Sequence, residues 1–204
     1  MKINNKTQEK QHMRAKPSEK FDFITSLASA NTFHNVATGC LYQYKNTNKI
    51  SPTIVFASAT NYGLAMELYL KTLIIMEGNN KPHGHNLDDL YNKLSPCIQK
   101  RLNKEYKSLD GETRKEILYI RASLEKSDPN NSNNNPERGT KLKQLFKNNK
   151  DIFIMYRYMF EQGRTKEWQY FYFEYGNFDL ACEALKIVSN SLLNEQEQFK
   201  VKIT

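Results

Sequence analysis

A chain of 204 residues with 30 Lys and Arg against 22 Asp and Glu carries a net charge of +8, which favours polyanionic partners, nucleic acid first. The length suits one domain with a real core, and twelve Tyr, eleven Phe and one Trp bring large buried surfaces to a chain that is 39% apolar. Eight Gly and six Pro argue against a turn-rich, many-stranded β fold, and no apolar run approaches the roughly 20 residues needed to span a bilayer.

Residues 1–17 are polar and aperiodic, without the apolar stretch of a secretory signal, and read as a loosely held tail before a single helical domain over 18–198. From Ser18 a helical pattern runs through Phe21, Ile24, Leu27, Ala28, Val36, Cys40, Leu41 and Tyr44, and the stretch Lys-Asn-Thr-Asn-Lys at 45–49 ends it. Ser51 and Pro52 then supply an N-cap and a proline at the first helical position. The second helix extends to Glu77 and stops at Gly78, which suits a left-handed C-cap. It is apolar on nearly every side and predicts the spine of the domain.

Asn86 is expected to cap a third helix with a stripe of Leu87, Leu90, Tyr91 and Leu94. Ser95-Pro96 restarts the chain for a helix bearing Ile98, Leu102 and Leu109, and Asp110 is expected to cap another with Ile117, Ile120 and Leu124. An Asn-rich loop over 127–139 follows. Beyond it, Leu142, Leu145 and Phe146 lead into Ile152, Phe153, Tyr156, Met159 and Phe160, with Gly163 as the stop. Residues 168–175 hold six aromatics in eight positions, an extended segment with no evident strand partner. Asn177 is expected to cap a last helix with Leu180, Ala181, Ala184, Leu185, Val188 and Leu192. The sum is an all-α, up-and-down bundle: four core helices, short accessory helices and one extended aromatic segment.

Few residues in this pattern can carry chemistry. Glu67 and Lys71 lie four apart within the apolar second helix, so they share a face, and a carboxylate there needs a partner as it leaves water. They read as a polar cluster holding the fold, as part of a pocket, or as a plain surface pair. His83 and His85 flank Gly84 ahead of a helix start. Without Cys, Asp or Glu at metal-ligand spacing they do not predict a metal centre, and no cofactor motif occurs. His85 is the leading candidate for a site histidine because imidazole titrates near neutrality. His34 and His12 have no evident partner in the sequence. Arg157 and Glu161 are again four apart and read as a salt bridge beside Tyr158 or as part of a shared cluster with Glu67 and Lys71, while Arg157 could instead offer its planar fork to phosphate. The aromatic run, with Arg164 and Lys166 just before it, either stacks bases or fills the core. Cys40, Cys97 and Cys182 are widely spaced and read as small buried apolar residues of a reducing, cytoplasmic compartment.

Two patches resemble a known superfamily. Ala65-Met-Glu67-Leu-Tyr-Leu-Lys71 with Gly78, then Gly84-His85-Asn-Leu87-Asp-Asp-Leu90, resemble the HEPN superfamily of helical domains, and Arg157-Tyr158-x-x-Glu161 is similar to its HEPN-like subgroups. The resemblance implies a four-helix bundle, commonly a homodimer, and roles in toxin–antitoxin and other bacterial defence or stress systems. Active ribonucleases of the superfamily carry Arg, four to six residues, then His, on a late helix. This chain departs from that pattern: the only arginine before any histidine is Arg14, with His34 twenty residues on, and no histidine follows Arg157. The resemblance with this departure favours a non-catalytic module that binds RNA, a nucleotide or a partner protein, and the chain's own residues offer Lys71, Arg157, Tyr158, Arg164 and Lys166 as RNA- or nucleotide-binding candidates. Two alternatives stand beside it. One is metal-independent RNA cleavage from a non-standard site of His85, Glu67, Lys71 and Arg157; the other is a structural or oligomerisation role on the same scaffold.

Overall fold

The computed structural model describes residues 23–46, 53–78, 82–109, 118–120, 141–153 and 171–203. The elements in chain order are α1 (Phe23–Asn46), α2 (Thr53–Met76), α3 (Leu87–Asn92), α4 (Pro96–Ser108), β1 (Leu118–Ile120), α5 (Leu142–Asn148), β2 (Phe171–Phe173) and α6 (Tyr175–Ile203). The fold is an all-α bundle. Its long helices are α1, α2, α4 and α6, with α3 and α5 as short accessories. No helix among the described residues is long and apolar enough to cross a membrane.

Helix α2 is the centre, packed against α1, α3 and α6. Enclosure explains why it is apolar almost all round, with Val55, Ala59, Tyr62, Met66, Tyr69, Leu70, Leu73 and Ile74 buried. It ends as its sequence predicts: Gly78 adopts φ +90, and its N–H donates to the Ile75 carbonyl at 2.9 Å. On α1 the inner stripe is Leu27, Ala30, His34, Ala37 and Leu41, spaced three and four apart. Ile24 and Val36 of the expected apolar pattern instead face solvent. Small Ala30 and Ala37 let the two helices approach, and cross-helix hydrogen bonds fix an antiparallel register. Ser26 Oγ meets Thr72 Oγ1 at 2.6 Å, the Tyr69 hydroxyl donates to Asn31, and Ser58 Oγ donates to the Ala37 carbonyl at 2.8 Å.

The predicted caps of α3 and α4 are present. Asn86 Oδ1 accepts from the Asp89 N–H at 3.1 Å, and Ser95 Oγ accepts from the Ile98 N–H at 3.3 Å with Pro96 following. Helix α4 lies between α5 and α6, tied to α6 by Arg101, which donates to Glu195 at 2.8 Å and to Ser191 Oγ at 2.8 Å.

Three expectations need correction. The helix anticipated after Asp110 is extended at 118–120, where Leu118, Tyr119 and Ile120 pair antiparallel with Phe173, Tyr172 and Phe171. The aromatic run thus has a strand partner. Ladder hydrogen bonds won there over the apolar spacing that suggested a helix. The last helix starts at Tyr175 rather than after Asn177. Asn177 is buried, its amide nitrogen donates to Glu174 Oε2 at 2.5 Å, and its carbonyl oxygen accepts from the Tyr106 hydroxyl at 3.2 Å. Of the cysteines only Cys182 is buried, while Cys40 is half-buried and Cys97 exposed. The tail over 1–17, Ser51 and Pro52, and the Asn-rich loop over 127–139 lie outside the described residues.

Phe173 settles what that part of the aromatic run does. It is fully buried and packs on Tyr62, Tyr175 and Phe178 with ring centroids 5.3–6.1 Å apart. Phe173 and Tyr175 therefore fill the core and present no face to a base.

At Gly63 the chain at Ile152 and Phe153 comes close against α2. A Cβ there would stand 2.7 Å from Ile152 Cγ2 and 3.2 Å from the Phe153 nitrogen. Gly63→Ala gains about 1 kcal/mol of helix propensity but overpacks a buried contact, at a cost of about 1–3 kcal/mol. A net loss of stability is expected in urea unfolding. In an Ile152→Ala background, which removes the clashing methyl, the same substitution is expected to become neutral or stabilising.

Candidate functional site

The sequence places Glu67 one turn beyond Gly63, on the enclosed helix, and the fold answers its charge with two partners. Glu67 is 3% exposed. Lys71 Nζ donates to Glu67 Oε1 at 2.7 Å, and His85 Nδ1 lies 2.9 Å from Oε1 and 3.0 Å from Oε2. Local backbone puts His85 there. Gly84 takes φ +90, a conformation side chains disfavour, and the chain turns sharply before Asn86 caps α3. Lys93 Nζ braces the turn on the His83 carbonyl at 3.2 Å, and the Leu87 N–H donates to the Lys150 carbonyl at 3.0 Å. Phe153 stacks on the His85 ring at 5.8 Å and 29°. The three sequence candidates Glu67, Lys71 and His85 are therefore one cluster.

Exposure ranks their roles. The Glu67 side chain is 5% exposed, Lys71 21% and His85 53%. With a carboxylate on Nδ1, the ring is held in one orientation, and Nδ1–H as donor leaves Nε2 as the acceptor and base. Lys71 has its ammonium on Glu67, so the cluster balances its own charge before any ligand arrives.

A second histidine–carboxylate cluster forms between α1 and α6, where sequence reading found no partner for His34. His34 is buried, and its Nε2 lies 2.7 Å from Asp179 Oδ1; Nδ1 is 3.7 Å from Glu183. The same Asp179 oxygen accepts from the Tyr62 hydroxyl at 3.2 Å and from Thr38 Oγ1 at 3.5 Å. Burial would raise the Asp179 carboxyl, but the hydrogen bond and charge of His34, helped by Tyr62 and Thr38, hold it below the usual carboxylate range. Burial, with the Asp179 charge adding to it, pushes the Tyr62 phenol far above its ordinary value, so it acts as a neutral donor. The sequence held one signal for this cluster: His34 falls on the stripe of Leu27, Ala30, Ala37 and Leu41, and a core-facing histidine needs a partner.

Arg157, Tyr158, Glu161, Arg164 and Lys166 lie outside the described residues. Among the described residues no three His, Cys, Asp or Glu side chains are grouped to hold a metal ion. No family model matches the chain, and neither does any curated protein or any solved structure.

Glu67→Ala is expected to lower stability by about 1–3 kcal/mol, because the ammonium of Lys71 and the His85 imidazole lose a shared buried acceptor. An unmoved melting midpoint would count against a cluster that holds the fold. For Asp179 the sign follows from its lowered folded value. Its stabilisation is complete above the unfolded carboxyl range near 4 and is lost as pH falls through the lower folded value. Asp179→Asn is expected to be less stable than wild type by about 1.5–3 kcal/mol at neutral pH, with the gap closing below about pH 4. Thermal melts from neutral pH into acid measure both; a gap that is constant with pH would disprove the assignment.

Proposed function

We propose that this chain is a HEPN-like helical module of a bacterial stress, defence or toxin–antitoxin system. It works in the cytoplasm as a homodimer and binds RNA without cleaving it. The observation that carries the reading is the closed Glu67–Lys71–His85 cluster. It offers an oriented, half-exposed imidazole on a rigid base, but its cation is held by Glu67 at 2.7 Å. Cleavage at a phosphate needs a base and also a free donor or cation aimed at the developing negative charge. Among the described residues His85 has only the first. The resemblance of Ala65–Lys71 and Gly84–Leu90 to HEPN domains supports the cellular context, and the net charge of +8 favours RNA over a nucleotide or a protein partner as the ligand.

Metal-independent RNA cleavage is the second reading. It is favoured by one feature, the Glu67 carboxylate on His85 Nδ1, which is the arrangement that prepares an imidazole as general base.

Incubation of wild type and His85→Ala with total RNA and defined tRNAs in EDTA, read for gel shift and for cleavage in the same samples, separates the two. A shift without new fragments is expected for both proteins. Fragments from wild type alone would replace the binding reading with the enzymatic one, and neither shift nor fragments would reject both.

A further inference from the structure

The lysines look scattered along the sequence, yet the fold gathers five of them. Lys100, Lys104 and Lys107 follow one another along one face of α4, at intervals of four and three. Lys141, at the N-cap of α5, and Lys143 face them across an open groove of about 720 Å³. All five are exposed, and among the described residues none forms a salt bridge. Beside them in sequence, Glu105 contributes its charge to Arg101, and Arg101 is paired with Glu195 on α6. Helix α4 is thus divided lengthwise, with balanced charge toward α6 and unbalanced positive charge toward α5.

The floor between the lysines is rigid and polar. Gln99 Nε2 donates to the Tyr91 and Leu94 carbonyls at 3.1 and 2.9 Å. Asn103 Nδ2 donates to the Tyr91 hydroxyl at 2.7 Å and to the Gln99 carbonyl at 2.8 Å. Tyr91 is itself buried, so among the described residues the groove has no exposed aromatic platform. Its chemistry is a fixed polar floor with flexible ammonium groups on both walls.

We infer that this α4–α5 groove is a binding site for the phosphate backbone of a single nucleic-acid strand, read without regard to base sequence. On the functional reading above, which the inference deepens, that strand is RNA. Charge complementarity selects a polyanion. Concavity selects one strand, since a cleft walled by two helices tracks a backbone but cannot enter a duplex groove, which takes a protruding element. The Lys100-to-Lys107 span is roughly 10 Å at 1.5 Å per residue, long enough to meet more than one successive phosphate of a strand. Lysines without an exposed aromatic among the described lining residues make backbone charge, and not stacking, the source of affinity.

The test is fluorescence anisotropy of a labelled oligouridine strand between about 50 and 200 mM salt. Wild type is compared with the Lys100→Gln, Lys104→Gln, Lys107→Gln triple variant and with the Lys141→Gln, Lys143→Gln pair, each shown by circular dichroism to be folded. Each lost phosphate contact lowers the log–log salt slope by about 0.7. The triple variant is therefore expected to lose about 2 from the slope, and affinity should fall on the order of tens- to a hundredfold. The pair, on the opposite wall, is expected to lose about 1.4, while Lys186→Gln on α6 should change the affinity little. Unchanged binding by both groove variants, with loss on Lys71→Gln instead, would overturn the groove and leave RNA binding at the Glu67 cluster intact. No RNA binding by wild type would overturn both. Equal affinity for a matched RNA duplex would overturn the single-strand assignment, and equal affinity for polyglutamate would point to an acidic protein segment instead.

Discussion

The structure depends on the enclosure of α2. A helix satisfies its own backbone hydrogen bonds, so it can be covered on several sides, but each polar side chain it carries inward must then find a specific partner. Helix α2 carries several, and between them they reach three different parts of the fold. Thr72 and Ser58 reach α1, Tyr69 reaches Asn31, Tyr62 reaches Asp179 on α6, and Glu67 reaches the turn before α3. Apolar packing alone would tolerate helices sliding by a turn. These contacts do not, because a slip of one turn leaves several buried groups unpaired at about 1–3 kcal/mol each.

The two histidine–carboxylate clusters are alike in chemistry and opposite in setting. Both pair an imidazole nitrogen with a carboxylate at 2.7–2.9 Å. The His34 side chain is 5% exposed and hemmed in by Tyr62 and Asp179, whereas that of His85 is 53% exposed on a braced turn. In the first cluster the carboxylate accepts from every neighbour and the ring has no solvent-facing work, so it welds α1 to α6. In the second the carboxylate is the buried member and the ring is the exposed one. Burial, not residue type, distinguishes a structural pair from one that can meet a ligand.

What the sequence disclosed follows from range. The spine helix, the stop at Gly78 and the caps at Asn86 and Ser95 are set within four residues of themselves, and all were legible. So was the Glu67–Lys71 pair, at one helical turn, and His85 could be singled out because a glycine turn and a helix cap bracket it. The pairing of Leu118–Ile120 with Phe171–Phe173 was not legible, since three apolar residues fit a helix stripe or a strand equally well and only the distant partner decides. His34 and Asp179 are 145 residues apart, and nothing near either names the other. The expectation that all three cysteines are buried failed at Cys97 because it lies on the outer side of the first turn of α4, beside buried Ile98.

Charge follows the same logic of placement. An excess of basic residues spread evenly over a surface is weak at every point, because ions screen it within about 8–10 Å. Here several acids are turned inward or matched: Glu67 to Lys71 and His85, Asp179 to His34, Glu195 to Arg101, Glu183 to Lys186. Every such pairing cancels one charge of each sign, and the net positive excess then stands out where basic side chains have no acidic partner among the described residues. The α4–α5 groove is such a place, since α4 turns Arg101 and Glu105 toward one side and its three groove lysines toward the other. A composition that reads as diffusely basic in the sequence becomes, once the helices are packed, a local field with walls. Low-dielectric walls of that kind focus the field of the charges that line them, which scattered surface lysines in open water do not achieve.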